Sequence, residues 1–236
     1  FRTPHHTASK VSIIGGGSKA LPGEISLAHN GVLFLDEMPE FPKSILESLR
    51  QPLEDRKITI TRTNRKSSYP ANFMLIATMN PCPCGFYGDA TKECTCSSTQ
   101  ILNYQRKLSG PLMDRIDMVV NVDRIHNKNL LSKNNNKNSE HANAKKQIEM
   151  SLELQHKRYD CSNLYNSMVK TNDVKNKFNI SKEAEDLLNL ATSKLDLSAR
   201  AFIKILKVSR TIADLDSSKD IKVNHISEAL QYRHKN

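Results

Sequence analysis

Three short runs of apolar residues constrain most strongly what the first half of this chain can fold into. They span residues 32–35, 73–79 and 116–122, and each is bounded by turn-forming or charged residues. Runs of this length fit strands that are buried on both faces of a parallel sheet. Between the first two runs, apolar residues recur at helical spacing at Ile45, Leu46, Leu49 and Leu53. Strands that alternate with helices predict an α/β fold.

The composition changes along the chain, and this predicts two domains joined by a linker. Residues 1–125 carry the strand-and-helix pattern, whereas residues 126–146 are rich in Asn and Lys and poor in large apolar groups. We interpret the second segment as a solvated linker. Residues 147–236 show helical periodicity only, with Ser181 and Ser198 placed as N-caps. We therefore expect a small all-α domain there.

The charge balance favours polyanionic partners. Lys and Arg number 35 against 25 for Asp and Glu, which gives a formal net charge of +10. No run approaches the ~20 apolar residues that a membrane span requires, so we expect no contact with a membrane. The chain starts at Phe1 without a signal-type leader, and four of its five cysteines are clustered. We expect a part of a longer, cytoplasmic protein.

Polar side chains follow the predicted strands where a phosphoryl-transfer site would need them. Asp36 and Glu37 end the first run, Asn80 follows the second, and Arg115 precedes the third. Open α/β sheets bind ligands at the carboxyl ends of their strands. There, Asp36 would hold Mg²⁺ through water, Glu37 would activate the attacking water, and Asn80 would hold that water or the γ-phosphate. Taken singly, each residue has an ordinary alternative as a solvated turn or a surface ion pair.

Several longer stretches carry the pattern of a known family. They are FRTPHHT at 1–7, GGG at 15–17, PGEISLAH at 22–29, LRQPLE at 49–54, MNPCPCG at 79–85, SGPLMDRID at 109–117, LSARA at 197–201, TIADL at 211–215 and EALQYR at 228–233. With these stretches in this order, the chain resembles the magnesium-chelatase-like AAA+ ATPases of the ComM/YifB type. The resemblance spans the chain and is weakest from residue 126 to residue 180.

The resemblance implies a role for each candidate residue. Asp36 and Glu37 match the Walker B pair, Asn80 matches sensor 1, Arg115 matches an arginine finger offered to a neighbouring subunit, and Arg200 matches the sensor 2 of a helical lid. It further implies an AAA+ P-loop NTPase core followed by an all-α lid, with ATP and Mg²⁺ as cofactors and a hexameric ring as the assembly. ComM-type relatives are associated with branch migration of DNA during recombination in natural transformation. The expected function is therefore that of an ATP-driven ring motor on DNA.

One required part of such an ATPase is missing from the 236 residues. The segment Gly15-Gly16-Gly17-Ser18-Lys19 does not have the G-x-x-x-x-G-K-[ST] spacing of a phosphate loop. In the family this loop lies upstream of the Phe1 segment, so we expect a core that is truncated at its N-terminus. Since backbone N–H groups and a lysine for the phosphates are then absent, we expect this chain alone not to hydrolyse ATP.

Four cysteines in a short segment suggest a metal site. Cys82, Cys84, Cys94 and Cys96 supply four thiolates, which is enough for one tetrahedral zinc ion. The C-x-C spacing is tighter than the usual C-x2-C, so a local disulfide pair and free thiols stay open as alternatives. Cys161 stands alone, and we interpret it as an ordinary small side chain.

Residues 56–68 predict a basic β-hairpin. Ile58 and Ile60 alternate with threonines, and residues 56–66 contain five basic residues and no acidic one. A hairpin that faces a ring pore would contact nucleic-acid phosphates, whereas the alternative is a solvated turn. The candidate contacts are Arg62, Arg65 and Lys66.

Two other functions fit the same residues. A magnesium chelatase ATPase subunit would carry the same ATPase parts, although the cysteine cluster and the His5-His6 segment resemble the ComM type more. A non-catalytic interaction module is the alternative from another class, because the phosphate loop is absent. An in-frame phosphate loop upstream of Phe1 would remove that alternative.

Overall fold

The structure is a computed structural model that describes residues 1–62, 65–122 and 137–234. It divides into two compact units, Phe1–Ile116 and Asp117–Asn236. The first unit mixes helices and strands, and the described part of the second is helical apart from one bridge between Ile180 and Ile221. A mixed α/β fold with a helical C-terminal region is thus confirmed. Among the described residues, no helix has the length and apolar character needed to cross a membrane.

The first unit is built from short elements. Its strands are β1 Gly15–Gly16, β2 Leu21–Pro22, β3 Val32–Leu35, β4 Lys57–Arg62, β5 Arg65–Pro70 and β6 Met74–Ala77. Its helices are α1 Lys10–Ile14, α2 Glu24–Leu27, α3 Lys43–Ser48, α4 Arg50–Asp55, α5 Ser98–Gln105 and α6 Gly110–Met113, with a 3-10 turn at Met38–Glu40.

A parallel pair of strands forms the centre of this unit. Strands β3 and β6 pair in register from Val32 opposite Met74 onwards. On the other side of β3, Arg2 forms a parallel bridge with Leu33. Leu33 is fully buried, whereas Met74 is 62% exposed. The prediction that each run is buried on both faces is therefore wrong for β6, in which Met74, Ile76 and Ala77 are all exposed.

The third predicted strand, at residues 116–122, does not form. The Ile116 N–H donates back to Met113 O at 3.0 Å, which continues the turn after α6. The Val119 N–H donates to Tyr232 O at 2.7 Å, a carbonyl beyond the end of a helix rather than in a strand. An apolar run specifies a strand only where a second strand offers it a hydrogen-bonding edge.

The helix predicted around residues 45–53 is two helices. The break falls at Leu49, between α3 and α4. Pro52 is the third residue of α4, in the first turn, where a backbone N–H would have no partner within the helix. Pro52 therefore stands inside the second helix instead of ending the first.

The glycine segment at 15–17 forms a tight backbone contact, not a phosphate loop. Strands β1 and β2 pair antiparallel, and Gly15 has a φ of +101°. A Cβ atom on Gly23 would lie only 2.3 Å from the Gly15 backbone nitrogen. Glycine is therefore required at 15 for its conformation and at 23 for its missing side chain.

The basic segment forms the predicted hairpin. Strands β4 and β5 pair antiparallel from Lys57 opposite Pro70 to Arg62 opposite Arg65. Ile58 and Ile60 are buried, as their alternation predicts. Residues 63–64, between the strands, lie outside the described residues.

The described part of the second unit contains a 3-10 turn at Asn166–Met168 and five α-helices: α7 Lys137–Tyr159, α8 Thr171–Lys177, α9 Lys182–Lys194, α10 Ala199–Leu215 and α11 Val223–Gln231. Ser181 and Ser198 are N-caps of α9 and α10, as predicted, and their hydroxyls accept from the backbone N–H three residues further on, at 3.3 Å and 3.2 Å. The predicted linker 126–146 differs, since its last part, from 137, belongs to α7. Residues 123–136 lie outside the described residues.

A buried ionic network joins α7 to α10. Asp214 is fully buried and accepts from Arg158 Nη1 at 2.8 Å and from Arg210 Nε at 3.2 Å. Asn166 Nδ2 donates to the same carboxylate at 2.8 Å. Two guanidinium groups thus depend on one carboxylate for their neutralisation, in an interior that solvates charge poorly.

We expect Asp214→Asn to destabilise the helical unit by about 3–5 kcal/mol, because it leaves two guanidinium groups without a counter-charge. Urea unfolding followed by circular dichroism measures the change. Asp186→Asn, on the exposed face of α9, is the matched control and should change stability by less than about 0.5 kcal/mol. Equal unfolding midpoints for the two variants would contradict the importance of the network.

Candidate functional site

The carboxyl ends of the two parallel strands bring three polar side chains together. Asp36 and Glu37 follow the last residue of β3, and Thr78 follows the last residue of β6. The register pairs Leu35 with Ala77, so these residues leave the sheet side by side. The Thr78 hydroxyl donates to Asp36 Oδ1 at 2.5 Å and accepts from the Glu37 N–H at 3.0 Å. Thr78 therefore fixes both acidic residues, although the sequence reasoning did not select it.

Backbone hydrogen bonds hold the acidic turn on both sides. The Thr78 N–H donates to Leu35 O at 3.0 Å, and the Met38 N–H donates to Thr78 O at 2.9 Å. Glu37 lies in the left-handed region, with φ +51°, which an L-residue adopts only when its surroundings impose it. Both carboxylates and Asn80, beyond the end of β6, are exposed. Asp36, Glu37 and Asn80 are thus available to a ligand at one edge of the sheet.

Tyr104 on α5 is a second residue that the sequence reasoning missed. A backbone hydrogen bond from Asn80 reaches its hydroxyl. Burial raises the pKa of Tyr104, and the hydrogen bond from Asn80 by itself lowers it. The negative charges of Glu40 and Glu37 raise this pKa further. The capping box of Ser97 and Gln100 could have predicted α5, but no local signal predicts that α5 contacts Asn80.

Arg115 lies in a different environment from the acidic turn. Its Nε and Nη2 donate to Glu54 Oε2 at 3.1 Å and 2.5 Å, and its Nη1 donates to Pro111 O at 2.6 Å. Arg115 and Glu54 line a cavity of about 860 Å³ together with Lys10 and Arg50. No described contact joins Arg115 to Asp36 within the first unit.

Two of the remaining candidates, Arg200 and Lys66, are exposed, whereas the side chains of Arg62 and Arg65 lie outside the described part of the chain. Arg200 is the second residue of α10, in the second unit. Lys66 is exposed on β5, next to the end of the hairpin.

The four clustered cysteines converge on one point. Their Sγ atoms all lie within 4.8 Å of one another. Cys82 Sγ is 3.4 Å from Cys84 Sγ and 3.7 Å from Cys94 Sγ, and Cys84 Sγ is 3.5 Å from Cys94 Sγ. All are free thiols, as is the exposed Cys161, so the disulfide alternative is not found. The cluster has the ligands that a zinc ion requires.

Comparison with known proteins places this geometry in a family. The model of "Magnesium chelatase, subunit ChlI" matches residues 1–130, and that of "Magnesium chelatase, subunit ChlI C-terminal" matches residues 138–233. The chain belongs to the magnesium chelatase ChlI-like family. It is 42% identical over 233 residues to the competence protein ComM of Haemophilus influenzae and 41% identical to the uncharacterized protein YifB of Escherichia coli. In both comparisons 99% of the chain aligns, and it spans 45% of the length of each relative.

The thiols of this ChlI-like chain are not equivalent. Backbone N–H groups point at the sulfur of Cys84, that of Phe86 most strongly, and lower the pKa of this thiol to about 5. At Cys94, the Cys96 N–H acts in the same direction, but burial and the neighbouring thiols dominate and raise the pKa to about 12. One thiolate therefore forms readily in the cluster, and its charge opposes ionisation of the others.

In the metal-free protein, we expect iodoacetamide at pH 7 to alkylate Cys84 at least about tenfold faster than Cys94, because the thiolate is the reactive form. Both side chains are half-buried, so access does not favour either. The reaction at Cys84 should slow only as the pH falls below about 5, where its thiolate takes up a proton. Peptide mass mapping over time gives the two rates, and faster labelling of Cys94 would contradict the assignment.

Proposed function

We propose that the chain is part of an AAA+ ATPase, a motor that uses ATP hydrolysis to act on DNA. The observation that carries the proposal is the acidic turn itself: Asp36 and Glu37 lie at the carboxyl end of β3, bridged by Thr78 and beside the strand that leads to Asn80. Carboxylates in this position suit phosphoryl transfer, because ligands of open α/β sheets bind there. One relative is named a competence protein, and the resemblance to proteins of this type implies action on DNA.

The residues of the turn have separable roles in this proposal. Asp36 holds Mg²⁺ through water, and the ion neutralises charge on the transferred phosphoryl group. Glu37 orients and deprotonates the attacking water, and Asn80 holds that water or the γ-phosphate. Thr78 fixes the Asp36 carboxylate and the Glu37 backbone, so that neither has to be ordered when the nucleotide binds. For Arg200, on α10 of the second unit, we propose a role in nucleotide binding, as the family resemblance implies.

Arg115 completes the site of a neighbouring subunit. Its environment supports this role, because it faces a cavity beside Glu54 and makes no described contact with the acidic turn of its own unit. A guanidinium supplied in trans stabilises the charge that develops on the terminal phosphate and makes hydrolysis depend on assembly. The assembly that fits is a homo-oligomeric ring, for which we propose six subunits.

The proposal concerns a longer protein than these 236 residues. The chain spans 45% of the length of its relatives, and the phosphate loop that an ATPase requires is not in its sequence. We place that loop in the remaining part of the full-length protein. The free thiols fit the reducing cytoplasm.

We expect full-length proteins carrying Glu37→Gln or Arg115→Ala to bind ATP yet to hydrolyse it at least about 100-fold more slowly. Mixing the two variants should restore activity, because some subunit interfaces then join an intact Glu37 to an intact Arg115. ATPase assays with verified subunit exchange provide the measurement. Activity that stays at the weighted average of the two variants would contradict action in trans.

The basic hairpin supports DNA as the substrate of the motor. Its strands carry four of the five basic residues and no acidic one, and Lys66 is exposed. Phosphate contacts release counterions from the nucleic acid, so such contacts give affinity that depends on salt and hardly on sequence. Arg62, Arg65 and Lys66 are the residues that we assign to these contacts.

We expect Arg65→Ala with Lys66→Ala to lower the slope of log affinity against log salt by about one unit for each phosphate that the protein no longer neutralises. The basal ATPase of the full-length protein should not change. Lys43→Ala with Lys182→Ala removes two exposed charges elsewhere and should leave the slope unchanged. A salt titration of DNA binding compares the pairs, and equal slopes for both would identify the hairpin as a solvated turn.

The family description favours a second candidate, an ATPase subunit of a magnesium chelatase. The same acidic turn would serve it, but a motor that acts on a porphyrin has no need for phosphate contacts at the hairpin. Stimulation of the full-length ATPase by DNA would support the DNA motor. Stimulation by chelatase partner subunits instead would support the chelatase subunit.

A further inference from the structure

We propose that Cys82, Cys84, Cys94 and Cys96 bind one zinc ion, and that this ion fixes the segment carrying Asn80 against helix α5. The metal site stands on its own geometry. Only its consequence for ATP hydrolysis rests on the function proposed above for Asn80.

The spacing of the sulfur atoms fits a single tetrahedral ion. With Zn–S bonds of about 2.3 Å, the edge of a zinc tetrahedron measures about 3.8 Å. The three separations among Cys82, Cys84 and Cys94 lie between 3.4 and 3.7 Å, and all four sulfur atoms lie within 4.8 Å. Small shifts of the side chains therefore suffice to place an ion at equal distance from all four. Four thiolates in tetrahedral arrangement select zinc over hard cations such as Mg²⁺.

The backbone around the cluster is already arranged to support bound thiolates. Cys84 receives hydrogen bonds from the backbone of Phe86 and Thr95, and Cys94 receives one from the backbone of Cys96. Gly85 makes the first of these possible, since its φ of +81° turns the chain back towards the sulfur of Cys84. Hydrogen bonds of this kind orient metal ligands and disperse their charge.

The cluster lies at the junction of the two segments that position Asn80. On one side, only Pro81 separates Asn80 from the buried Cys82. On the other side, Cys96 directly precedes Ser97, the N-cap of α5. An ion bound to both cysteines ties the end of the β6 segment to the start of α5.

The C-terminal end of α5 also lies next to Asn80. A backbone hydrogen bond from Asn80 reaches the Tyr104 hydroxyl, and Gln105 Nε2 donates to Pro81 O at 3.4 Å. The segment 80–105 is thus closed into a ring by the metal at one end of α5 and by these two contacts at the other. Without the ion, the link between these segments at the start of α5 is lost, and Asn80 keeps the hydrogen bonds at the far end of the helix.

Zinc analysis and hydrogen exchange of the 236-residue chain test the proposal without ATP. We expect one zinc per chain for the wild type and for Cys161→Ser, the matched control outside the cluster, and less than about 0.1 for Cys94→Ser with Cys96→Ser. Stripping zinc from the wild type with a chelator should raise exchange at least about tenfold at Asn80 and through α5, and added zinc should reverse it. The hairpin strands β4 and β5 serve as the internal reference and should not change.

Three results would overturn the proposal. They are a wild-type chain that takes up no zinc or takes up iron instead, cluster variants that keep their zinc, and exchange at Asn80 that does not respond to the metal. The reversible removal from wild-type protein covers the case in which the variants fail to fold. A full-length protein that binds zinc as expected but does not hydrolyse ATP would contradict the proposed function alone.

Discussion

The pairing of β3 with β6 is the interaction on which the candidate site depends. It aligns Leu35 with Ala77 and so places Asp36 beside Thr78. A slip by one residue would turn the Thr78 side chain to the opposite face of the sheet and break its hydrogen bonds to the acidic turn. Two strands of four residues are weak by themselves, so the register must be held by the burial of Leu33 and Leu35 and by the bridge to Arg2. The residues that pack the core therefore also fix the geometry of the site.

The sequence predicts those parts of the fold that depend on local pattern. Runs of apolar residues located β3 and β6, alternating isoleucines located the hairpin, and serines located the starts of α9 and α10. The prediction of a strand at 116–122 was wrong because a strand also needs a neighbouring strand to hydrogen-bond with. The composition of a segment carries no information on such a neighbour. The prediction of a linker was wrong from residue 137 onwards, because the exposed residues 139–150 extend a helix whose later part, from Ser151, is packed in the second unit.

The same distinction between local pattern and tertiary contact applies to the residues of the candidate site. Residue type and position relative to a strand made Asp36, Glu37 and Asn80 candidates, and the family resemblance favoured them over their ordinary alternative as solvated turn residues. Thr78 and Tyr104 could not be selected in this way. A threonine after a strand and a tyrosine in a helix are ordinary, and only the register of β3 with β6 and the return of α5 to Asn80 give them their contacts.

Two arginine–carboxylate pairs in this chain show how burial separates a fixed contact from an exchangeable one. Arg210 and Asp214 are 1% and 0% exposed, so separating them would leave charges without water or counter-ion. Arg115 is 13% exposed, but its partner Glu54 is 45% exposed and borders a cavity. Water can solvate Glu54 when the pair opens, so separating this pair costs less than separating Arg210 from Asp214. The role proposed for Arg115 between subunits requires such an exchange of a carboxylate for a phosphate, and the fully buried pair of Arg210 and Asp214 could not provide it.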